Sequence, residues 1–163
     1  MERPDAAWLA DELDRATAQV SRFAAMIPES RMRVPPPSRG SEAPLGTWSA
    51  HQLISHLLDW ESRDVVRALG RLVGESDAPA APRTPYDPEP AVPDLLAELA
   101  GVRREEARLV RLAGTARLEN ATRSDGRSFL WLLAHVVQHN WEHANTIGQI
   151  ALLWDHHEER LSR

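Results

Sequence analysis

Hydrophobic residues recur along this chain at spacings of three and four in four long stretches, separated by segments rich in proline, glycine and polar residues. Between residues 5 and 27, Leu9, Leu13, Ala16, Val20, Phe23 and Ile27 make one apolar stripe, which predicts an amphipathic helix with Asp5 as N-cap and Pro28 as its stop. Residues 28–47 hold five prolines and two glycines and read as a loop, with Arg31 and Arg33 on a solvated edge or, as the lesser reading, in contact with an anion. A second helix is predicted over 48–74. Ser49 and Gln52 have the spacing of a capping box, Trp48 and Leu53 that of a hydrophobic staple, and Gly74 ends it. Within it His56 falls among Leu53, Leu57 and Trp60 and is expected to face inward, whereas His51 in the first turn is expected to be exposed.

Residues 75–93 contain six prolines around the only tyrosine, Tyr86. They predict an extended connection across the end of the bundle, a spacer or, in the minority reading, a lid over a site. A third helix over 94–113 turns Leu95, Leu99, Val102, Leu109 and Leu112 inward, stops at Gly114, and carries Arg103, Arg104, Glu105, Glu106, Arg108 and Arg111 as a solvated charged face. Residues 114–127 read as a polar loop with a turn at Asp125-Gly126. The fourth helix is predicted from Ser128 to at least Trp154, with the tail DHHEERLSR able to continue it. No strand pattern appears. Four helices and no strands predict an all-α four-helix bundle, one domain spanning 1–163.

That last helix changes the picture. His135, His139 and His143 stand four apart in an otherwise apolar run, so all three imidazoles share one stripe. Three ligands spread along roughly 12 Å of helix cannot reach one ion. A pair four apart can, with His56 from the second helix as third ligand. Imidazoles suit zinc, nickel, cobalt, copper or iron(II) rather than calcium or magnesium. Three protein nitrogens leave an open coordination position, the layout of catalytic zinc sites, where a bound water or thiol is acidified. The alternative is a set of buried, hydrogen-bonded histidines. Asp59, Glu61 and Glu142 could orient such a site, although a solvated helix face is the simpler reading for Asp59 and Glu61.

Composition removes several chemistries. The 163 residues are 42% hydrophobic and 26% charged, with net charge −5 and pI near 5.8, which gives no basic field for nucleic acid. There is no cysteine, hence no protein thiol nucleophile, and no lysine, hence no Schiff base or phosphate-loop lysine. No apolar run is long enough to span a membrane, and MERPDAAW is not a signal peptide, so a cytoplasmic protein with no membrane partner is expected. The run His139-Asn140-Trp141-Glu142-His143 lacks the glutamate of a zinc-protease helix, no G-x-S-x-G exists, and the E-x-x-H spacing of di-iron bundles fails.

Two motifs resemble the DinB/YfiT-like superfamily. Trp48-Ser49 opens a helix with His56 eight residues after the tryptophan, leading into HLLDWE. HVVQHNWEH is similar to the family run H-x-x-x-H-x-x-x-H, with Ile147 four past the last histidine. The resemblance covers nearly the whole chain. It implies an up-down-down-up bundle, commonly a homodimer, with metal ligands at His56, His139 and His143. His135 then matches a frequent extra histidine beside the site. Many members have Gln where Thr146 stands, so the polar contact of that position differs here. The resemblance further implies a small-molecule substrate and a zinc or nickel cofactor. It also implies use of a low-molecular-weight thiol, such as bacillithiol, mycothiol or glutathione, by an S-transferase of detoxification or stress response. A metal-dependent hydrolase and a non-catalytic, stress-linked metal-binding bundle are the alternatives.

Overall fold

The computed structural model describes residues 4–75 and 82–163. The described residues form helices α1 (Ala6–Ala24), a single turn α2 (Glu29–Met32), α3 (Ala50–Trp60), a π-helical turn (Glu61–Val65), α4 (Val66–Val73), α5 (Val92–Asn120) and α6 (Phe129–Leu161). They contain no strand, only isolated bridges at Arg39–Glu42 and Thr122–Ser128. The second expected helix is thus α3, the π turn and α4 in unbroken succession, and the bundle has four long helical segments as the periodicity predicts.

The caps are where local chemistry places them. The Asp5 carboxylate accepts from the Trp8 amide at 2.8 Å. Ser49 Oγ accepts from the Gln52 amide at 3.2 Å, and the Ser49 amide donates to Gln52 Oε1 at 2.8 Å, so the capping box is complete. Ser128 Oγ accepts from the Trp131 amide at 3.1 Å. At the other end of the second segment Gly74 takes φ 83°, and the Glu75 amide reaches the Gly70 carbonyl at 2.9 Å, a Schellman closure that a residue with a Cβ would strain. The tail does continue α6, to Leu161.

Two expectations for the third helix fail. The backbone leaves helical geometry at Gly114 (φ 69°, ψ 159°) but resumes to Asn120, so half of the expected polar loop is helix. Fully buried Leu118 anchors that extension, and Thr115 Oγ1 accepts from the Ala6 amide. Leu112 lies on the outside of α5, 53% exposed, on the side of Arg108 and Arg111.

The core is in two parts. One gathers the first halves of α1 and α6 with α4 and the second half of α5, around Leu9, Leu69, Val110 and Leu133. The other gathers the second half of α1, α3, the start of α5 and the later part of α6, around Val20, Ile54, Leu99 and Ile147. On each long segment one polar residue falls between the two: Thr17, Glu61, Arg103 and Asn140. These four are joined through one guanidinium. Arg103 donates to Glu61 Oε2 and Oε1 at 2.9 and 3.0 Å, to Asn140 Oδ1 at 2.7 Å and to Thr17 Oγ1 at 3.4 Å. Arg103, Glu61, Asn140 and neighbouring Glu106 are all fully buried.

This corrects the expectation of a solvated face for Arg103, Glu106 and Glu61. A buried arginine is retained because its donors are shared among acceptors from three other segments. The signal lay in the spacing: Arg103 stands four after Leu99 and Glu106 three before Leu109, on the apolar stripe itself. Glu61 opens the π turn, an insertion that re-phases a helix and recurs at functional sites.

Candidate metal centre

Two helices bring three of the histidines together. His139 and His143, one turn apart on α6, have their Nε2 atoms 2.9 Å apart, and His56 on α3 brings its Nε2 within 3.3 Å of His139 Nε2. One ring nitrogen from each of the three lies within 4.8 Å of the others. All three side chains are half-buried. Trp48 packs edge-on to His56 at 5.1 Å between ring centres, and Trp60 to His139 at 4.6 Å.

The electrostatics keep the rings neutral. Burial, then the neighbouring imidazoles and Arg103, lower the pKa of His139 to about 3. Burial and His56 lower that of His143 to about 4, against the pull of Glu142. Burial and then Arg83 lower that of His56, opposed by Asp59.

Neutral imidazoles cannot satisfy one another in this arrangement. Each unprotonated or protonated ring nitrogen offers one lone pair or one proton, so His139 Nε2 can meet one of its two close neighbours and not both. A cation among the three meets all of them. Tetrahedral coordination with metal–nitrogen bonds of about 2.0–2.1 Å separates the nitrogens by about 3.3 Å, the His56–His139 distance. The residues therefore fit a divalent transition metal, because nitrogen donors disfavour calcium and magnesium.

The remaining sequence candidates lie around this cluster. His135 is exposed, stacked on Trp131 at 5.3 Å, with its ring centre 6.1 Å from that of His139. Glu142 is exposed, and its Oε1 accepts from the side-chain Nε2 of Gln138 at 2.8 Å. Thr146 donates to the Glu142 carbonyl on its own helix at 2.9 Å. Asp59 accepts from the Thr84 amide at 3.2 Å and pairs with Arg63 at 3.5 Å.

The Asp59–Thr84 contact leads to the proline-rich segment. Residues 76–81 lie outside the described residues. Residues 82–91 form a strap along α3 that walls a cavity of about 400 Å³, lined among others by Trp48, Gln52, His56, Asp59, Tyr86 and Glu98. His56 is the member of the triad on its wall. Of the two readings of this segment, spacer and lid, the lid near a candidate site is the one that the position of residues 82–91 matches.

His51 holds the strap and is fully buried, against expectation. Its Nε2 donates to the Pro90 carbonyl at 2.8 Å and its Nδ1 accepts from the Tyr86 hydroxyl at 2.9 Å. Arg33 donates to the Pro88 and Pro90 carbonyls at 2.8 and 2.9 Å. Arg31 pairs with Asp155 at 2.6 Å and lies 5.2 Å from the Trp154 ring centre. Both arginines are half-buried tertiary anchors rather than a solvated edge. Proline carbonyls explain the choice of partner, because a proline-rich strap has few amide donors and must be held through its acceptors.

The model of one protein family, described as the DinB superfamily, matches residues 12–147. The chain belongs to the DinB superfamily. The match takes in both histidine motifs, and it agrees with the resemblance carried by Trp48-Ser49, His56 and HVVQHNWEH. No curated protein and no solved structure is significantly similar to this DinB-superfamily bundle. No helix among its described residues is long and apolar enough to cross a membrane.

Proposed function

We propose that the bundle is a metal-dependent enzyme, an S-transferase that joins a small thiol cosubstrate to an electrophilic small molecule in detoxification or stress response. The observation that carries it is the convergence of three neutral imidazoles beside a cavity large enough for a small molecule. His56, His139 and His143 would hold zinc or nickel. When bound, the metal supplies Lewis acidity that favours the thiolate form of a nearby thiol.

The chain's own part is binding and exclusion. It has no cysteine, so the sulfur nucleophile must come from the cosubstrate. Trp48 and Trp60 pack edge-on against the His56 and His139 rings and fix their orientation. The sulfur attacks the electrophilic carbon, the carbon–sulfur bond forms as the bond to the leaving group breaks, and the thiol proton goes to solvent. A homodimer belongs to the same proposal. It is supported by the resemblance and by exposed Trp141 and Leu152 on α6, and a monomer at every concentration in sedimentation velocity would remove it.

The deciding experiment is elemental analysis of the purified protein and its His56→Ala, His139→Ala, His143→Ala and His135→Ala variants, followed by turnover assays of metal-loaded protein. Loss of metal in the first three and retention in the fourth is expected. Equal metal content in all would sink the ligand set. Metal retention without turnover on any thiol and electrophile, but with ester or amide cleavage, would turn the assignment to a hydrolase. No turnover at all would leave a non-catalytic metal-binding bundle.

A further inference from the structure

The charged groups on the wall of the cavity are not equally committed. Asp59 is spent on the Thr84 amide and Arg63, and Asp87 turns Oδ1 back to the Glu89 amide at 3.0 Å. Arg83 and Glu98 both line the cavity, yet neither makes a hydrogen bond or ion pair with any described residue. They come from different elements, Arg83 from the strap and Glu98 from α5. Both are solvent-exposed, so water meets their charges in the free protein, and a ligand's own charges in the cavity can take that place.

Their chemistry specifies the ligand. A guanidinium presents a planar fork that matches a carboxylate in two parallel bonds. The Glu98 carboxylate, which lines the same cavity, suits an ammonium. His56 lines this cavity as well.

We infer that the cavity binds a small amino-acid-type zwitterion, with its carboxylate on Arg83, its ammonium toward Glu98 and its side chain directed to His56. The inference rests on the proposed metal centre only for the third group, a thiol. It makes the proline-rich strap a source of specificity as well as a wall.

Three thiols separate the contributions: L-cysteine carries both charges, cysteamine lacks the carboxylate and 3-mercaptopropionate lacks the ammonium. Each is titrated into full-length protein, metal-free and cobalt-loaded. The readouts are the Trp48 indole N–H resonance and, for the cobalt form, the sulfur-to-cobalt absorption band. The wild type is expected to bind L-cysteine about tenfold more tightly than either single-charge thiol, the effect of one charge-assisted hydrogen bond. Arg83→Gln should erase the advantage over cysteamine and Glu98→Gln the advantage over 3-mercaptopropionate. Both side chains are exposed, so melting temperatures should not move.

An unchanged preference in Arg83→Gln overturns the inference, as does the absence of any Trp48 shift with L-cysteine. An unchanged preference in Glu98→Gln alone overturns the zwitterion in favour of a plain carboxylate. If the Trp48 shift depends on Arg83 and Glu98 while no thiol perturbs the cobalt band, the charge-matched subsite stands and the metal–thiol reading falls.

Discussion

Arg103 and Glu61 meet fork to fork in the middle of the bundle, Nε to Oε2 at 2.9 Å and Nη2 to Oε1 at 3.0 Å, with neither side chain reachable by solvent. The pair ties α5 to the π turn five residues after His56, and its link to Asn140 ties both to the residue after His139. Arg103→Met leaves the Glu61 carboxylate buried without its cation and should cost about 3–5 kcal/mol. Adding Glu61→Leu should recover most of that loss, because it removes the stranded charge. Chemical denaturation of the two variants checks this. A double variant no more stable than the single would show that the pair itself, and not the uncompensated charge, carries the energy.

Glu106 has neither carboxyl oxygen hydrogen-bonded, and burial followed by the charge of Glu61 pushes its carboxyl well above the usual range. A raised carboxyl binds its proton more tightly in the folded chain. Its contribution to stability is therefore full below the unfolded value near 4.5 and is lost as pH rises toward the folded value. Glu106→Gln should remove that decline, by at most about 1.4 kcal/mol per pH unit, and change little near pH 4. Melting temperatures of wild type and variant from pH 4 to 8 should diverge with rising pH; parallel curves would refute it.

The histidines act with the opposite sign. In metal-free protein His139 and His143 titrate near 3 and 4, against about 6.5 in an unfolded chain. Between those values the unfolded chain holds the protons, so stability rises with pH from about 4 and levels off above about 6.5. The metal-free protein should lose stability as pH drops from 7 to 5, and His139→Asn or His143→Asn should flatten that slope. A wild-type slope unchanged by either substitution would count against the neutral pair.

The strap hangs on His51. His51→Ala removes both the Pro90 and the Tyr86 contact and should cost about 1–3 kcal/mol, while Tyr86→Phe removes one hydrogen bond and should cost about 1 kcal/mol. Amide exchange at Thr84, whose N–H is held by Asp59, should accelerate in both, and more in His51→Ala. Unaltered exchange there would mean that Arg33 and Asp59 alone hold the strap.

Ser49 caps the helix that delivers His56. Ser49→Ala should lower stability by about 1 kcal/mol, read from denaturant midpoints. The first turn of α3 should fray before the turn that carries His56, so metal content should survive. Metal loss in Ser49→Ala would show that the cap, and not the bundle core, sets the position of His56.

The sequence by itself determined the four long helical segments, short of the extension of α5 past Gly114, and the candidates for chemistry. Apolar spacing, Asp5, Ser49 and Ser128 as caps and Gly74 as a stop are local properties, legible within a turn or two of chain. The i,i+4 geometry of His139 and His143 is local as well. Only the tertiary structure decided which charged and polar residues are buried. Arg103 and Glu106 stand on an apolar stripe, yet their charge, like that of Glu61 and the first-turn place of His51, suited solvent, and each is buried because of acceptors, neighbours or hydroxyls supplied by other segments. Burial of a charge depends on partners distant in sequence, and periodicity carries no record of them. For the same reason the proline-rich segment read first as a spacer and only in the minority reading as a lid. Its course over the cavity is fixed by Arg33, His51 and Asp59 meeting its backbone groups and Tyr86, contacts that exist once α3 and the strap lie side by side.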